Sequence, residues 1–269
     1  MVLDLAERPA PTRATDREGL LMVLAVMIAL AVMLGAMAQR VSGMGFALVV
    51  APVLVLLIGP FEGVLLVNLC GAVSASIVIS RVWRHIDWRQ FAMLGVPAVI
   101  AIVPGAFLSV LIGGPVLQII VGAIVVAALS TSLLMKYFDR RVAQVPAALI
   151  SGTASGFMSA TAGVGGPGMS VYAILTNWEQ RSFAATIQPF FVVVGVTSFV
   201  TKVTLNDTGL PDYDWWLWVL IIACPLVGLT LGEIVSRWVS VRVARIMVII
   251  ISFAGGIIAI IDGATALLV

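Results

Sequence analysis

Thr161-Ala162-Gly163-Val164-Gly165-Gly166-Pro167-Gly168 puts five glycines and prolines into the six positions 163 to 168, in the middle of a long apolar stretch. Such a stretch reads as a membrane helix, and glycine and proline in its interior break the helix. A second break, Ser42-Gly43-Met44-Gly45-Phe46, lies 163 − 43 = 120 residues upstream when Gly43 is matched to Gly163. Backbone inside a bilayer must have its N–H and C=O groups satisfied, so irregular chain at that depth is tolerated only inside protein or against a wet cavity. The paired breaks therefore predict an internal site between two halves of the chain.

The surrounding composition agrees. Of 269 residues, 61% are hydrophobic and 10% charged, and mean hydropathy is +1.16, far outside the range of soluble domains. The chain reads as an all-α polytopic membrane protein whose main surroundings are the lipid bilayer. A net charge of +2 gives no footprint for nucleic acid, and the basic residues fall in short loops, where they report orientation. Cys70 and Cys224 lie singly in apolar segments, which offers neither a metal site nor a disulfide. Residues 1–19 are polar, include Pro9 and Pro11, and are expected to form a disordered tail. The first apolar run after them is 19 residues long, too long for a signal peptide core, and is expected to stay as a helix.

Apolar runs fall at 20–38, 44–58, 63–80, 91–112, 115–135, 147–160, 164–176, 184–205, 215–236 and 243–269. A crossing helix needs about 20 residues for a core of roughly 30 Å. The runs at 44–58, 147–160 and 164–176 have 13 to 15 residues and reach only about 20 to 22 Å. They are expected to be half-helices that turn back inside the bilayer. Grouping by five gives a first membrane repeat at 20–135 and a second at 147–269, joined by the charged loop 136–146. Each repeat is a Gly-broken hairpin, a short loop with an acid (Glu62, Glu179), and three full helices, the middle one carrying Pro97 or Pro225. A duplicated unit with breaks at matching positions points to a transporter whose site lies at the repeat interface.

Two topologies suit these runs. If each broken pair counts as two passes, the repeats are inverted and both termini face outward. Arg40, Arg81, Arg84, Arg89, Lys136, Arg140, Arg141, Arg181, Arg237, Arg242 and Arg245 then lie inside, against Arg8, Arg13, Arg17 and Lys202 outside, eleven to four. If each pair crosses once, eight spans leave both termini inside and the count is ten to four, with Arg40 at depth. The inverted arrangement is preferred because it keeps Arg40 near an interface and strands no charge in lipid.

Glycines at 43, 45, 163, 165, 166 and 168 permit positive φ and close approach of a ligand, and Pro167 suits the first turn of a following helix. Half-helices starting near Gly45 and Gly166 would present free N–H groups and a positive dipole end, which favours an anion. The alternative is tight helix packing, for which Gly-x-x-x-Gly spacing is common. Polar residues at depth are few: Asn68, Gln118, Gln188, Ser74, Ser76, Ser159, Thr161, Thr197 and Ser198. Asn68 and Gln188 each lie on the full helix after a broken pair and rank as site residues. Arg40, two residues before Ser42, either supplies fixed charge to an anion or anchors a helix end at the interface. Glu233 is expected in an interfacial ion pair with Arg237, and His85 in a solvated loop. Gly152-Thr153-Ala154-Ser155-Gly156 is not Gly-x-Ser-x-Gly, and a phosphate-binding loop is absent from the sequence, so no enzyme chemistry and no cofactor is expected.

The breaks Ser42-Gly43-Met44-Gly45-Phe46, with Pro52 downstream, and Ala162-Gly163-Val164-Gly165-Gly166, with Pro167 beside them, resemble the paired motifs of the TauE/SafE-type sulfite exporter family. Length, duplication and loop positions are similar over about 20–265. The resemblance implies a secondary transporter of sulfite, organosulfonates or related small anions in a bacterial-type cytoplasmic membrane. Carried over residue by residue, it implies a site at Gly43, Met44, Gly45 and Phe46 and at Gly163, Val164, Gly165 and Gly166. Thr161, Arg40, Ser42, Asn68 and Gln188 complete the candidate set. A proton or sodium ion is the expected coupling partner, and the number of copies in an assembly stays open. An anion channel and a non-transporting scaffold are the other function classes compatible with these features.

Overall fold

The computed structural model describes residues 12–42, 45–134, 142–206, 209–211 and 213–268. Ten α-helices run through them, with no strand among the described residues. They are α1 (Thr12–Ser42), α2 (Phe46–Ile58), α3 (Pro60–Val82), α4 (Trp88–Leu111), α5 (Gly114–Leu134), α6 (Gln144–Ala162), α7 (Gly166–Thr176), α8 (Gln180–Leu205), α9 (Trp215–Val235) and α10 (Val241–Leu268), with one 3-10 turn at Trp83–His85. Seven of them (α1, α3, α4, α5, α8, α9 and α10) are long and apolar enough to cross a membrane. The helices α2 and α7 have 13 and 11 residues and rise only about 20 and 16 Å. The segment expected as a tail is helical from Thr12 onward, because no proline or glycine interrupts it between Thr12 and Arg17. Residues 1–11 and most of the charged loop lie outside the described residues.

The helix ends follow local chemistry. Gly59 at φ +88° turns α2 into α3, and Pro60 starts α3 where no N–H is required. Asp87 caps α4 by accepting from the N–H groups of Arg89 and Gln90 at 3.1 and 3.0 Å. Asn177, at φ +53°, closes α7 with its own N–H on Ile174 O and that of Trp178 on Ala173 O, the two bonds of a Schellman turn.

Glycine contacts fix how the helices run past one another. A Cβ on Gly152 or Gly156 of α6 would sit 2.4 Å from Leu94 O or 2.1 Å from Ala98 O, so α4 and α6 lie side by side in parallel, backbone against backbone. Gly228 and Gly232 of α9 meet Met33 and Met37 of α1 in the same way, again in parallel. The other two long contacts are antiparallel. Gly122 meets Gly256 while Gly263 meets Pro115, which sets α5 against α10; Gly195 meets Asn68 while Lys202 meets Phe61, which sets α8 against α3.

Side-chain ties gather the helix ends at two rims. At the first, Glu233 of α9 pairs with Arg40 of α1 at 2.8 Å and Arg81 of α3 at 2.7 Å, the N–H of Asp87 donates to Thr186 Oγ1 at 2.9 Å, and Tyr172 donates to Gln90. At the second, Tyr213 donates to Glu62, the ammonium of Lys202 lies 4.8 Å from the centre of the Phe61 ring, and Gln118 donates to Asp262 at 2.7 Å. Exposed tryptophans mark both ends of the bundle, Trp83, Trp88 and Trp238 at the first rim and Trp215 at the second. Between them, α4 exposes Val96, Ile100, Val103, Phe107 and Leu111 along one face, as a helix facing lipid does.

Candidate functional site

Gly163 takes a left-handed conformation, φ +72°, and ends α6 with its N–H on Ser159 O at 2.9 Å. Two residues on, Gly165 adopts φ −87° and ψ −13° and starts α7 with no side-chain cap. The first-half counterpart, Gly45, adopts φ −82° and ψ −13° and starts α2, also with no side-chain cap. A helix start leaves its first N–H groups without intrahelical acceptors. In α2 the ladder begins with Val49 N–H on Gly45 O at 3.2 Å, so the N–H groups of Phe46, Ala47 and Leu48 precede it.

Those same residues form one wall of a cavity of about 40 Å³. Gly163, Val164, Gly165 and Gly166 form the facing wall, and Asn68, Gln39, Ser159, Phe191 and Gly195 complete the lining. The two broken helices thus begin at one buried space. At roughly 10–15 Å³ per water-sized group, the cavity takes about three of them. Among the described residues no charged side chain lines it, and its polar groups are the helix starts and the amide and hydroxyl side chains of Gln39, Asn68 and Ser159.

Those polar side chains are held in place by partners. Asn68 donates through Nδ2 to Val64 O and Ser159 O, each at 3.0 Å, and accepts from Ser159 Oγ at 2.9 Å, which ties α3 to α6 beside the break. Gln39 donates through Nε2 to Gln188 Oε1 at 3.4 Å and accepts from Ser74 Oγ at 2.8 Å, leaving a second Nε2 hydrogen for the cavity. Gln188 stands behind Gln39 and turns its own Nε2 onto Ala184 O.

Of the residues singled out in the sequence, Phe46, Asn68, Gly163, Val164, Gly165 and Gly166 line the cavity. Gly45 caps α2 and is buried, and Gln188 does not line the cavity but accepts a hydrogen bond from Gln39, which does. Ser42 is the last residue of α1, whereas Gly43 and Met44 lie outside the described residues. Thr161 is fully buried and bonds its own helix at Phe157 O. Arg40 lies at the first rim, in a two-point contact with Glu233 that Arg81 shares; these two arginines, and not Arg237, are the partners of Glu233. Gln39, Phe191 and Gly195 are lining residues that sequence reasoning did not find. Gln39 sits beside Arg40 at the end of an apolar run and reads as a loop residue, and Gly195 has no mark except its size. Among the described residues no group of three or more His, Cys, Asp or Glu could hold a metal ion, and both cysteines are free and buried.

The sulfite exporter TauE/SafE family matches residues 27–258, which is most of the chain and takes in both broken helices. The chain is also 26% identical, over 181 residues, to a probable membrane transporter protein y4hK of Sinorhizobium fredii; the alignment covers 64% of this chain and 71% of that one. No solved structure matches.

Proposed function

This chain belongs to the sulfite exporter TauE/SafE family of membrane transporters, and from that premise we propose that it is a secondary transporter of a small sulfur-containing oxyanion, sulfite or a short organosulfonate. The observation that carries the reading is the cavity between the uncapped starts of α2 and α7. Two helix N-termini give an anion two sets of N–H donors with no cation to bind it irreversibly. A volume near three water-sized groups suits sulfite, a sulfur with three oxygens, or the head of a sulfonate whose tail lies along Phe46 and Phe191.

The anion is moved by alternating access between two inverted repeats, α1–α5 and α6–α10. Two features support this. The pairs that relate a helix to its own counterpart, α3 with α8 and α5 with α10, are antiparallel, as a twofold axis in the membrane plane requires. The exchanged pairs, α1 with α9 and α6 with α4, are both parallel and both packed through Gly-x-x-x-Gly spacing. Transport is coupled to a proton or sodium gradient across the cytoplasmic membrane.

Counterflow in proteoliposomes is the test. Vesicles loaded with unlabelled sulfite are expected to concentrate labelled sulfite transiently, and short sulfonates are expected to compete. A channel would dissipate the gradient without overshoot, and a scaffold would give no flux for any anion.

A further inference from the structure

Among the described residues, Lys202 is the one charged side chain that is fully buried, and its Nζ has no hydrogen-bond partner. The Phe61 ring face lies 4.8 Å from it. An ammonium taken out of water without a counter-ion is costly, and a ring face offsets only part of that cost. One helical turn earlier, the hydroxyl of Ser198 is also buried and also without a partner. Buried polar atoms are nearly always satisfied, so two orphaned donors on consecutive turns of one helix need a reason.

Their placement supplies one. Gly195, Ser198 and Lys202 are spaced three and four residues apart, so they share one face of α8. That face meets α3: a Cβ on Gly195 would touch Asn68 O at 2.7 Å, and Lys202 covers Phe61, seven residues before Asn68. Gly195 and Asn68 line the cavity between the helix starts. Phe61 and Asn206, the latter one turn beyond Lys202, line a second cavity of about 370 Å³ at the opposite rim, with Glu62 and Ser109. The two cavities therefore lie at the two ends of one seam between α3 and α8, about 10 Å long at seven residues of 1.5 Å each. The titratable group nearest its outer end on α3, Glu62, is engaged by Tyr213 and does not serve Lys202.

We propose that the seam between α3 and α8 is the route of a small oxyanion between the buried cavity and the second rim, with Ser198 Oγ and Lys202 Nζ as its successive donors and the Phe61 ring as its lid. The anion replaces the ring face as the partner of the ammonium, then passes to Ser198 and on to the N–H groups at Gly166 and Phe46. This step rests on the cavity being the anion site.

A charge-selective thiol assay tests the route without depending on which anion is transported. Cys70 and Cys224 are replaced by alanine, Ser198→Cys supplies the one thiol, and a sulfonate-bearing methanethiosulfonate is compared with its trimethylammonium analogue, each rate referred to a free thiol in solution. The anionic reagent applied from the second rim is expected to win. Adding Lys202→Met should cut the anionic-to-cationic ratio about tenfold, the change that loss of one nearby charge brings, while Lys202→Arg should keep it. An apolar methionine in this buried position is compatible with folding. A thiol that neither reagent reaches, or a ratio that Lys202→Met leaves alone, overturns the route. Counterflow that fails for sulfite while the thiol selectivity persists overturns the substrate and leaves the route standing.

Discussion

Gly45 and Gly165, 165 − 45 = 120 residues apart, hold nearly the same backbone angles, −82°/−13° and −87°/−13°, and each opens a half-helix onto the same cavity without a side-chain cap. A serine or aspartate would be the ordinary choice at such a position, and it would consume the N–H groups that the cavity needs. Glycine leaves them free for a ligand.

The cavity wall is best tested at Gly166. A Cβ there would meet only Phe191, at 3.6 Å, so a larger side chain enters the empty space without disturbing backbone. Gly166→Leu is expected to lower sulfite affinity more than tenfold with little change in melting temperature, and Gly166→Ala to lie between. Titration of binding in detergent, beside a thermal melt, checks both halves. Unchanged affinity in Gly166→Leu would remove α7 from the site.

Gly163 and Gly165 should behave differently, as folding residues. At φ +72° an alanine is strained by about 1–2 kcal/mol, and its Cβ would also press on Val67 at 3.0 Å. At Gly165 the Cβ would lie 2.8 Å from Ser155 O, a backbone atom that cannot yield cheaply, and overpacking of this kind costs about 1–3 kcal/mol. Both alanine variants are expected to melt several degrees below the parent. A melting temperature within error of the parent for either one would show that the break relaxes more easily than its contacts imply.

The breaks and the ten segments are legible in the sequence because glycine, proline and run length act locally. Asn68 and Gln188 are legible for the same reason, being amides in otherwise apolar helices. Of the three runs expected as half-helices, however, only two are short: the one at 147–160 belongs to α6, which starts at Gln144 and has 19 residues, because polar residues at both its ends join the helix. What could not be read depends on which face of a helix meets which neighbour. Gln39 and Lys202 both stand at the ends of apolar runs, where a polar residue ordinarily reaches solvent; Ser74 of α3 and Gln188 of α8 hold one at the cavity, and packing of α3 on α8 encloses the other. The sequence left Arg40 open between the anion and a helix-end anchor, and its fork on Glu233 was not legible, since the two lie 193 positions apart.

Alkaline pH should loosen the second rim. Burial, and after it the carboxylate of Glu62 that Tyr213 donates to, push the Tyr213 hydroxyl above its ordinary value near 10. A group whose folded value is raised contributes stability that is complete below about pH 10 and is lost as pH climbs through the folded value. Melting temperature is therefore expected to be flat toward pH 10 and to fall above it. Tyr213→Phe should be less stable at pH 8 and lose part of the alkaline fall. An identical alkaline profile in Tyr213→Phe would assign the fall to other groups.

Orientation follows from charge. Arg40, Arg81, Arg84, Arg89, Arg181, Arg237, Arg242 and Arg245 belong to helix ends and turns at the first rim, which is expected to face the cytoplasm. The last turns of α10, where Gly263 packs on Pro115, lie at the other rim. A C-terminal alkaline phosphatase fusion should be active and a green fluorescent fusion dark. The opposite pair of results would reverse the molecule in the membrane.

The fork of Arg40 and Arg81 on Glu233 ties α1, α3 and α9 together on that cytoplasmic side, beyond the cavity. Its three side chains are 38% to 62% exposed, so water screens the pairs and they add little to folding stability. Their effect should appear instead in the balance between closed and open states, because opening this rim separates α1 from α3 while solvent replaces only part of the fork. Glu233→Gln is expected to leave the melting temperature nearly unchanged and to raise, severalfold, the rate at which a thiol at Ala47→Cys in the cavity wall is modified from the cytoplasmic side. The same thiol approached from the opposite rim should react more slowly, since one population grows at the other's expense. Equal rates from both sides in Glu233→Gln and in the parent would show that the fork fastens a surface and does not gate the cavity.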